Sequence, residues 1–573
     1  MDVRPGINGA KPASFVRRFA PNLGMLLEYR REWLGHDLRA GVSVAAIALP
    51  TAIAYAQIIG LDPVVGLYAA ILPLVIYSLL GTSPHLIVNP DAATCALVAS
   101  ALAPLAASNP ESLLSLSFSL AFLTGVICLV AGCLRLGFVA DFLSHPILVG
   151  FLNGIAIHIF LGQLGKIFGF AMHSHGIIPN LLELIRKLPQ TQGFTLLVGL
   201  LSIGVMLASK RYLPRWPAAL LAVVFAMALV RGLGLDAGGV AVVGPLAAGL
   251  PGLHLPEFDP QLTKPLLVGA LGVALLSFTH AMVIARTFAA KGGYEVNTNQ
   301  EFFALGASQI ASGLSGGFAV SGTASRTGMN YAAGGKSPLA GMVAAGVMAT
   351  VLLFFTGPLS YLPLAALGAV LIVAAIGLFD AAELIRLWRI SRQEFALAMV
   401  TTFAVVALGV LDGVLAAVGL ALLMVIARAS RPPDAVLGRV AGLPEFRNVA
   451  HHVGAETVPG VVVYRFGSAL LFFNAPYFRR RVLELAAANP DIHCIIVDGD
   501  RINGIDATAA EVLLGMTREL RRRSVTLSLA NVNTEVRDLI GRAGFAEAVD
   551  GPAIYASLEA AVDACAMKPS TGN

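Results

Sequence analysis

The sequence predicts an all-α polytopic membrane domain of about fourteen spans, built as two inverted repeats of seven, followed by a small cytosolic α/β domain. Charged residues make up only 13% of the 573 residues and hydrophobic residues 57%, whereas an ordinary soluble protein has about 25% charged residues. Apolar runs of about 20 residues, long enough to cross the bilayer core, recur between Gly41 and Ile426. Charges are concentrated in residues 1–39 and 428–573, so a lipid-compatible body lies between water-soluble ends. This composition argues against a soluble enzyme.

Residues 1–39 are predicted to be a cytosolic segment and residues 40–428 the membrane domain. We expect no cleavable signal peptide, because Arg17, Arg18 and further arginines precede the first apolar run and no small-residue cleavage site follows it. Loops on the predicted inside carry Arg135, Lys210, Arg211, Arg215, Arg286, Lys291, Lys336, Arg386, Arg389 and Arg392, and those outside carry mainly Lys166, Arg186, Lys187, Arg231 and Lys264. By the positive-inside rule, both termini are expected in the cytoplasm of a bacterial inner membrane.

The membrane domain contains a faint internal repeat. Spans are predicted to start near Gly41, Val64, Ala92, Leu113, Phe138, Phe194, Ala218, Leu266, Phe302, Gly322, Leu339, Leu364, Phe395 and Gly413. The spans at Ala92 and Gly322 look short, because Gly, Pro and polar residues precede them. Pro50 and His280 have the same separation, 230 residues, as Asp91 and Ser321. Seven spans per half place the two copies in opposite orientations, and inverted repeats with interrupted helices indicate a secondary transporter.

Two polar patches occur at helix starts inside apolar sequence, VNPDAATCAL (88–97) and GGFAVSGTASRTGMN (316–330). In an inverted repeat, two such helices point their N-termini at each other, so that unpaired N–H groups and positive dipole ends converge on a site for an anion. Ser321, Thr323 and Ser325 supply hydroxyl donors there, and Arg326 supplies a fixed charge and a planar fork of donors. The alternative for Arg326 is an interfacial arginine whose side chain snorkels to the membrane surface.

Asp91 and His280 are candidates for proton coupling. Asp91 either caps the helix that follows it or binds a proton together with the anion, as intramembrane acids do in proton-driven carriers. His280 lies in the middle of a span and is either a neutral residue bonded to a neighbouring helix or a proton relay. Thr51 and Tyr55 are one turn apart beyond Pro50, so they share a helix face that either lines the pocket or packs.

After Arg428 the composition changes to that of a soluble domain. The runs VVVYRF, CIIVDGD and VTLSLA are predicted to be strands and alternate with amphipathic helices, which is the pattern of a small α/β domain. The predicted boundaries are a linker at 429–458, the domain at 459–566 and a tail at 567–573. The five cysteines, at Cys95, Cys128, Cys133, Cys494 and Cys565, have neither metal-ligand spacing nor the pattern of a disulfide framework. No P-loop and no basic run with aromatics occurs, so we expect no cofactor, no metal and no nucleic-acid partner.

These motifs resemble one family. The run LPTAIAYAQIIGLDPVVGLYAAILPLVIYSLLGTSPHLIVNPDAA is similar to the first-to-third-span signature of the sulfate permease (SulP) anion transporters, and ARTFAAKGGYEVNTNQEFFALG with GTASRTGMNYAAGGKS is similar to their eighth-to-tenth-span signature. The tail resembles the STAS domain (sulfate transporter and anti-sigma factor antagonist) that follows in this family. The resemblance implies a core domain that holds the anion, a gate domain against which the core moves like an elevator, and a homodimer.

The resemblance also implies site residues. Carried over position by position, the family's anion site falls on Thr51, Tyr55, Asp91, Ala92, Ala93, Thr94, Ser321, Gly322, Thr323, Ala324, Ser325 and Arg326. Two departures from the family affect coupling and substrate: His280 replaces a Glu found in many proton-coupled carriers, and Asn89 replaces the usual Gly. In the STAS domain, INGIDATAAEVL resembles a segment in which a Ser or Thr at a helix start can be phosphorylated, with Asp506 and Thr508 at the corresponding positions. Asp506 can also act as an N-cap and Thr508 as an unmodified first-turn residue.

The function predicted first is secondary active transport of an inorganic oxyanion, with sulfate as cargo and protons as coupling ion, and with no enzymatic activity. In a rival prediction the fold is the same, but the cargo is bicarbonate, with sodium as the coupling ion, or a C4-dicarboxylate. The same residues are also compatible with a channel-like anion conductor, and with a membrane-tethered signalling protein whose STAS domain binds a cytosolic protein partner.

Overall fold

The structure is a computed structural model, and it describes residues 20–106, 112–137, 144–172, 177–213, 216–256, 260–440, 445–488, 490–545 and 554–566. The chain forms two compact units, which divide between Ala421 and Leu422. The first unit is helical and apolar, and the second contains a mixed sheet with helices. This division agrees with the predicted fold class of a membrane domain followed by an α/β domain.

The first unit is built mainly from helices. They are α1 Pro21–Leu27, α2 Leu34–Ile59, α3 Pro63–Leu80, α4 Ala92–Ala106, α5 Leu113–Cys133, α6 His145–Phe168, α7 Ile177–Lys187, α8 Gly193–Tyr212, α9 Ala218–Leu233, α10 Pro260–Gly292, α11 Thr298–Leu314, α12 Ala324–Ala332, α13 Leu339–Phe354, α14 Leu364–Leu378, α15 Ala381–Ile390 and α16 Arg392–Leu408. The next helix, α17 Val410–Ser430, begins in this unit and continues past the division. Single turns occur at Arg31–Trp33, Leu188–Gln190 and Thr356–Leu359.

A helix occupies each of the fourteen predicted span positions. In the part of the chain that the structure describes, eight helices have the length and hydropathy needed to cross a bilayer. The span predicted from Phe138 begins as a helix at His145; Phe138 itself, like Arg215, lies outside the described residues. Helices α7 and α15 were not predicted, because they are short and amphipathic and lie between the apolar runs. Helix α1, of seven residues, was not predicted because it is short and precedes the first apolar run.

Close helix packing in this unit depends on glycine. A Cβ on Gly125 of α5 would come within 2.6 Å of the carbonyl oxygen of Gly306, and one on Gly306 of α11 within 2.9 Å of the oxygen of Gly125. Helices in membranes associate through small residues that let their backbones approach. The pair therefore holds α5 and α11 in direct backbone contact.

Two short strands interrupt the helical unit. Strand β1, Val88–Asn89, pairs antiparallel with β2, Ser321–Gly322, with Val88 opposite Gly322 and Asn89 opposite Ser321. Helix α4 begins directly after β1 and helix α12 directly after β2. The two segments are the ones that the internal repeat relates, and their antiparallel pairing is what an inverted repeat requires.

The second unit is an α/β domain with a seven-stranded sheet. Its strands are β3 Asp434–Val440, β4 Phe446–Asn448, β5 Ala455–Glu456, β6 Val461–Phe466, β7 Cys494–Asp498, β8 Thr526–Ala530 and β9 Ile554–Tyr555, and its helices are α18 Ala475–Ala488, α19 Ala507–Arg522, α20 Thr534–Arg542 and α21 Leu558–Ala566. The order is β4-β3-β6-β7-β8-β9, with β5 also on β3, and β6 to β9 are parallel. The stretch predicted as a linker, 429–458, thus contributes three strands to the sheet.

The sulfurs of Cys494 on β7 and Cys565 on α21 form a disulfide, with a Cα–Cα distance of 6.2 Å. The sequence did not indicate this pair, because 71 residues separate the two cysteines and no spacing motif connects them. Only the packing of the last helix on the sheet brings them together.

Candidate functional site

The site lies where the two interrupted spans meet. The residues before α4 and α12 are extended and hydrogen-bonded to each other through β1 and β2. Since α4 has 15 residues and α12 has 9, neither reaches the roughly 20 residues needed to cross the bilayer. Each helix therefore begins inside the unit, and the pairing holds the two N-termini next to each other.

The start of α12 is open. Its N-cap residue, Thr323, makes no side-chain capping bond, and its hydroxyl instead donates to the carbonyl of Ile87, 3.1 Å away. Ala324 and Ser325 in the first turn are exposed, whereas Arg326 is buried. The first backbone N–H groups of a helix have no partner within it and carry the positive end of the dipole. This end of α12 therefore offers donors to an anion.

Arg326 places a positive charge beside the start of the opposite helix. Its Nη1 donates to the carbonyl of Pro90 at 2.6 Å, and its Nη2 donates to the hydroxyl of Thr51. Its Cζ lies 5.8 Å from the ring centre of Tyr55, and its Nε has no hydrogen-bond partner among the described residues. The residue is 2% exposed and its guanidinium is held inside the unit, so it does not snorkel to the surface.

Asp91 caps α4 and also faces a histidine. Its Oδ2 accepts from the backbone N–H of Ala93 at 3.2 Å and lies 3.5 Å from that of Thr94. The Nδ1 of His280, on α10, lies 3.4 Å from the same oxygen. This contact is not aligned as a hydrogen bond, but an imidazolium at that distance would form an ion pair with the carboxylate. Both roles that the sequence allows for Asp91 are compatible with this geometry.

The remaining predicted residues contribute in different ways. Ser321 donates to the carbonyl of Ser277 at 2.8 Å, so its proton is already used. The hydroxyl of Thr94 is buried with no partner among the described residues, which leaves it free to donate to a ligand. Gly322 permits close packing, since a Cβ there would come within 2.8 Å of the Cα of Ala281. Ala92 and Ala93 are buried at the start of α4 and leave room beside it.

One supporting residue was missed by the sequence reasoning. The side-chain amide of Gln309, on α11, donates to the carbonyl of Val320 at 2.6 Å and accepts from its N–H at 2.9 Å. These two bonds fix the backbone immediately before β2. A glutamine among the apolar and small residues of the second half of α11 was the available signal.

In the second unit, Asp506 caps α19, as the sequence predicted. Its Oδ1 accepts from the N–H of Ala509 at 2.8 Å, and its Oδ2 accepts from the N–H of Phe472 at 2.7 Å. Thr508 is exposed in the first turn of the same helix, where a phosphate would meet the positive end of the dipole. The exposed hydroxyl is therefore accessible to modification from solvent.

The helical unit contains many apolar spans, and a buried arginine lies at two paired helix starts within it. These features define a multi-pass membrane protein built to hold an anion. Comparison with known sequences agrees. The sequence model of the sulfate permease family matches residues 34–401, and that of the STAS domain matches residues 452–561. The chain belongs to the sulfate permease family, a family of transporters, and carries a STAS domain.

Relatives of the whole chain support this assignment. It is 38% identical to a probable sulfate transporter of Mycobacterium tuberculosis over 95% of this chain and 98% of that protein. It is 30% identical to the chloroplastic sulfate transporter 4.1 of Arabidopsis thaliana, over 95% and 82% of the two chains. The fold is that of the murine anion transporter Slc26a9, with a TM-score of 0.90 at 24% identity over 99% and 97% of the chains. The transmembrane domain of the cyanobacterial bicarbonate transporter BicA gives a TM-score of 0.61 at 26% identity, over 68% of this chain and 99% of that one.

Proposed function

We propose that the protein is a secondary active transporter that carries sulfate, or a closely related inorganic oxyanion, together with protons. The observation that carries the proposal is Arg326, buried at the open start of α12 and hydrogen-bonded across to the start of α4. An oxyanion needs a positive charge and hydrogen-bond donors. Arg326 supplies the charge. The free N–H groups of the helix start and the hydroxyl of Thr94, which has no partner among the described residues, supply donors. The names of the mycobacterial and plant relatives support sulfate as the cargo.

Proton coupling is supported by the charges at the site. When His280 is neutral, the carboxylate of Asp91 repels an anion and competes with it for electrostatic attraction to Arg326. When His280 carries a proton, it compensates Asp91 and leaves the charge of Arg326 to the anion. The distance of 3.4 Å between the imidazole and the carboxylate makes this compensation direct. Anion loading and protonation of the pair therefore favour each other, as proton symport requires.

Elevator-type movement is supported by the distribution of the site residues. Thr51, Asp91, His280 and Arg326 lie on α2, at the start of α4, on α10 and on α12, and no predicted anion-site residue lies on α6, α8, α14 or α16, which pack against one another. The first set of helices would form the core that carries the anion, and the second set the gate. We further propose a homodimer in a bacterial inner membrane with both termini in the cytoplasm, and a STAS domain that binds a cytosolic partner and is regulated at Thr508.

The resemblance to the bicarbonate transporter BicA favours bicarbonate as the cargo of a second candidate. Sodium is the coupling ion that the sequence prediction pairs with this cargo. The experiment that separates the candidates is counter-flow in proteoliposomes containing the purified protein, with labelled sulfate, bicarbonate and succinate in parallel. We expect sulfate uptake that an inward proton gradient increases and that a sodium gradient leaves unchanged. If the protein takes up only bicarbonate, driven by a sodium gradient, the second candidate function replaces sulfate transport. A carrier has a limited turnover rate, so its current saturates at high voltage. Unitary anion currents at such voltages would contradict a carrier of either kind.

A further inference from the structure

A second polar cavity lies in the membrane unit, away from the anion site. It has a volume of about 680 Å³. Its walls are α1, the segment 82–85 before β1, the segment 291–295 that includes the end of α10, and the segment 331–336 that includes the end of α12. None of the residues that line it belongs to the site around Arg326. Lys291 and Lys336, which line it, are among the residues that the positive-inside rule assigns to the cytoplasmic side.

The walls of this cavity are well fixed. The ring of His85 lies between two tyrosines, stacked on Tyr294 at 5.6 Å and edge-on to Tyr331 at 5.2 Å. The Nε2 of His85 lies 3.0 Å from the carbonyl oxygen of Gly335, and the side-chain amide of Asn330 donates to the carbonyl of His85 at 2.9 Å. These contacts tie the segment that leads into β1 to the segment that ends α12. The first of these segments continues to Asp91, and the second begins near Arg326.

Helix α1 closes another side of the cavity. The backbone N–H of Asn22 donates to the carbonyl of Gly81 at 3.1 Å, and its side-chain amide donates to the carbonyl of Ser83 at 3.2 Å. The hydroxyl of Tyr294 lies 2.9 Å from the hydroxyl of Ser83. The cavity is therefore a built recess between four connected segments, and its shape does not depend on one exposed loop.

The side chains that line the cavity carry more cations than carboxylates, and the carboxylate of Asp37 behind its wall is already bonded to the backbone N–H of Lys336 at 2.7 Å. Lys291 and Lys336 line the cavity, and Glu295 is the only carboxylate in its lining. In the part of the chain that the structure describes, neither ammonium group forms an ion pair. The ammonium of Lys291 lies 5.0 Å from the ring centre of Phe288, which places it at the rim. Lysines and hydroxyl groups are common ligands of phosphate. A volume of about 680 Å³ falls in the range of organic-ligand pockets and is far larger than a bare oxyanion needs.

We propose that this cavity binds an organic phosphate, supplied either by a soluble phosphorylated metabolite or by the headgroup of an anionic phospholipid. The phosphate lies between Lys291 and Lys336, and the organic part lies against the rings of Tyr294 and Tyr331. Because the cavity is walled by the segments that lead to both helix starts of the anion site, its occupant restrains their relative position. This regulatory consequence rests on the proposed transport function; the binding itself does not.

The test uses the full-length protein and glycerol 3-phosphate, which has the chemistry shared by both sources. In nanodiscs of phosphatidylcholine, thermal unfolding is measured with and without the probe, and in a second arm phosphatidylglycerol replaces a third of the lipid. Stabilisation by glycerol 3-phosphate supports the proposal with a soluble source. Stabilisation by phosphatidylglycerol alone supports it with a lipid source. Absence of stabilisation in both arms overturns it.

Variants assign the binding to the cavity. The double variant Lys291→Gln/Lys336→Gln is expected to weaken binding of the stabilising ligand at least tenfold, whereas the matched control Lys210→Gln/Arg211→Gln, at the exposed end of α8, keeps wild-type binding. Equal binding by both double variants overturns the proposal. Arg326→Gln is expected to bind the probe like the wild type, and loss of binding there would assign the probe to the transport site. Sulfate binding is measured separately on the wild type and on the lysine double variant. Sulfate binding by both proteins would support the proposed anion site, whatever the result for the cavity.

Discussion

The substitution Arg326→Gln tests the anion site most directly. It removes the buried charge and keeps a polar, although shorter, side chain. In the structure the guanidinium donates to the carbonyl of Pro90 and to the hydroxyl of Thr51, while its Nε has no partner among the described residues. Thr51 also donates to the carbonyl of Ile47 at 2.7 Å, so its hydroxyl stays bonded in the variant. The carbonyl of Pro90 loses its donor in the variant, and the remaining loss falls on the ligand.

The magnitude follows from the bonds that an anion would lose. One hydrogen bond to a charged group contributes about 1.5–3 kcal/mol. Since about 1.4 kcal/mol corresponds to a factor of ten in Kd, losing one such bond weakens anion binding roughly 10- to 150-fold. A divalent anion also loses part of its Coulomb attraction to the fixed charge, so the upper part of this range is expected for sulfate.

Binding is measured with labelled sulfate on purified protein by scintillation proximity, and the Tm of each variant is recorded alongside. The matched control is Arg286→Gln, an exposed arginine on α10, which should bind sulfate like the wild type. A Kd for Arg326→Gln within threefold of the wild-type value, in a variant of unchanged Tm, would refute the placement of the anion at these helix starts.

Three further predictions concern coupling and stability. The variant His280→Gln should still bind sulfate but lose the rise in uptake between pH 8 and pH 6, since its side chain cannot take up the proton that compensates the neighbouring carboxylate. The variant Gly66→Ala should lower the Tm, because its Cβ would lie 2.0 Å from a backbone oxygen of α2 and overpacking costs about 1–3 kcal/mol. In the STAS domain, burial raises the pKa of Asp434, but its hydrogen bond to Arg481 and the charge of that residue outweigh burial and lower the pKa below the usual value. A lowered pKa in the folded state means that the pair stabilises the domain above about pH 4 and less as pH falls further, so Asp434→Asn should reduce Tm at neutral pH and have little effect in acid.

Each of these predictions has a control within the chain. Uptake by His280→Gln that keeps the wild-type pH dependence would contradict the role of the histidine. Gly204→Ala, on α8, should be neutral, since nothing lies within 4 Å of a Cβ there; equal losses at Gly66 and Gly204 would mean that close packing is not the cause. A loss of Tm for Asp434→Asn that is the same at neutral and acid pH would show that the charge of the carboxylate is not what stabilises the domain.

The continuous apolar runs of the sequence predicted where the spans lie, because burial in lipid selects apolar residues along a whole segment. It did not predict α7 and α15. These helices are amphipathic, so their apolar residues are spaced rather than continuous. The strands within 429–458 were also missed, because their residues join the sheet only through pairing with β6 and with each other.

The sequence alone determined that the chain has a membrane body with two interrupted spans and a soluble α/β domain, and it named Asp91, His280 and Arg326 as charges in unfavourable surroundings. The tertiary structure decided what these charges contact. Residues 236 positions apart, Arg326 and Pro90, are bonded because β1 pairs with β2. The contact between His280 and Asp91 likewise exists only once α10 packs beside α4. Composition and spacing reflect the solvent that each segment meets, whereas distances between remote side chains depend on how the helices pack.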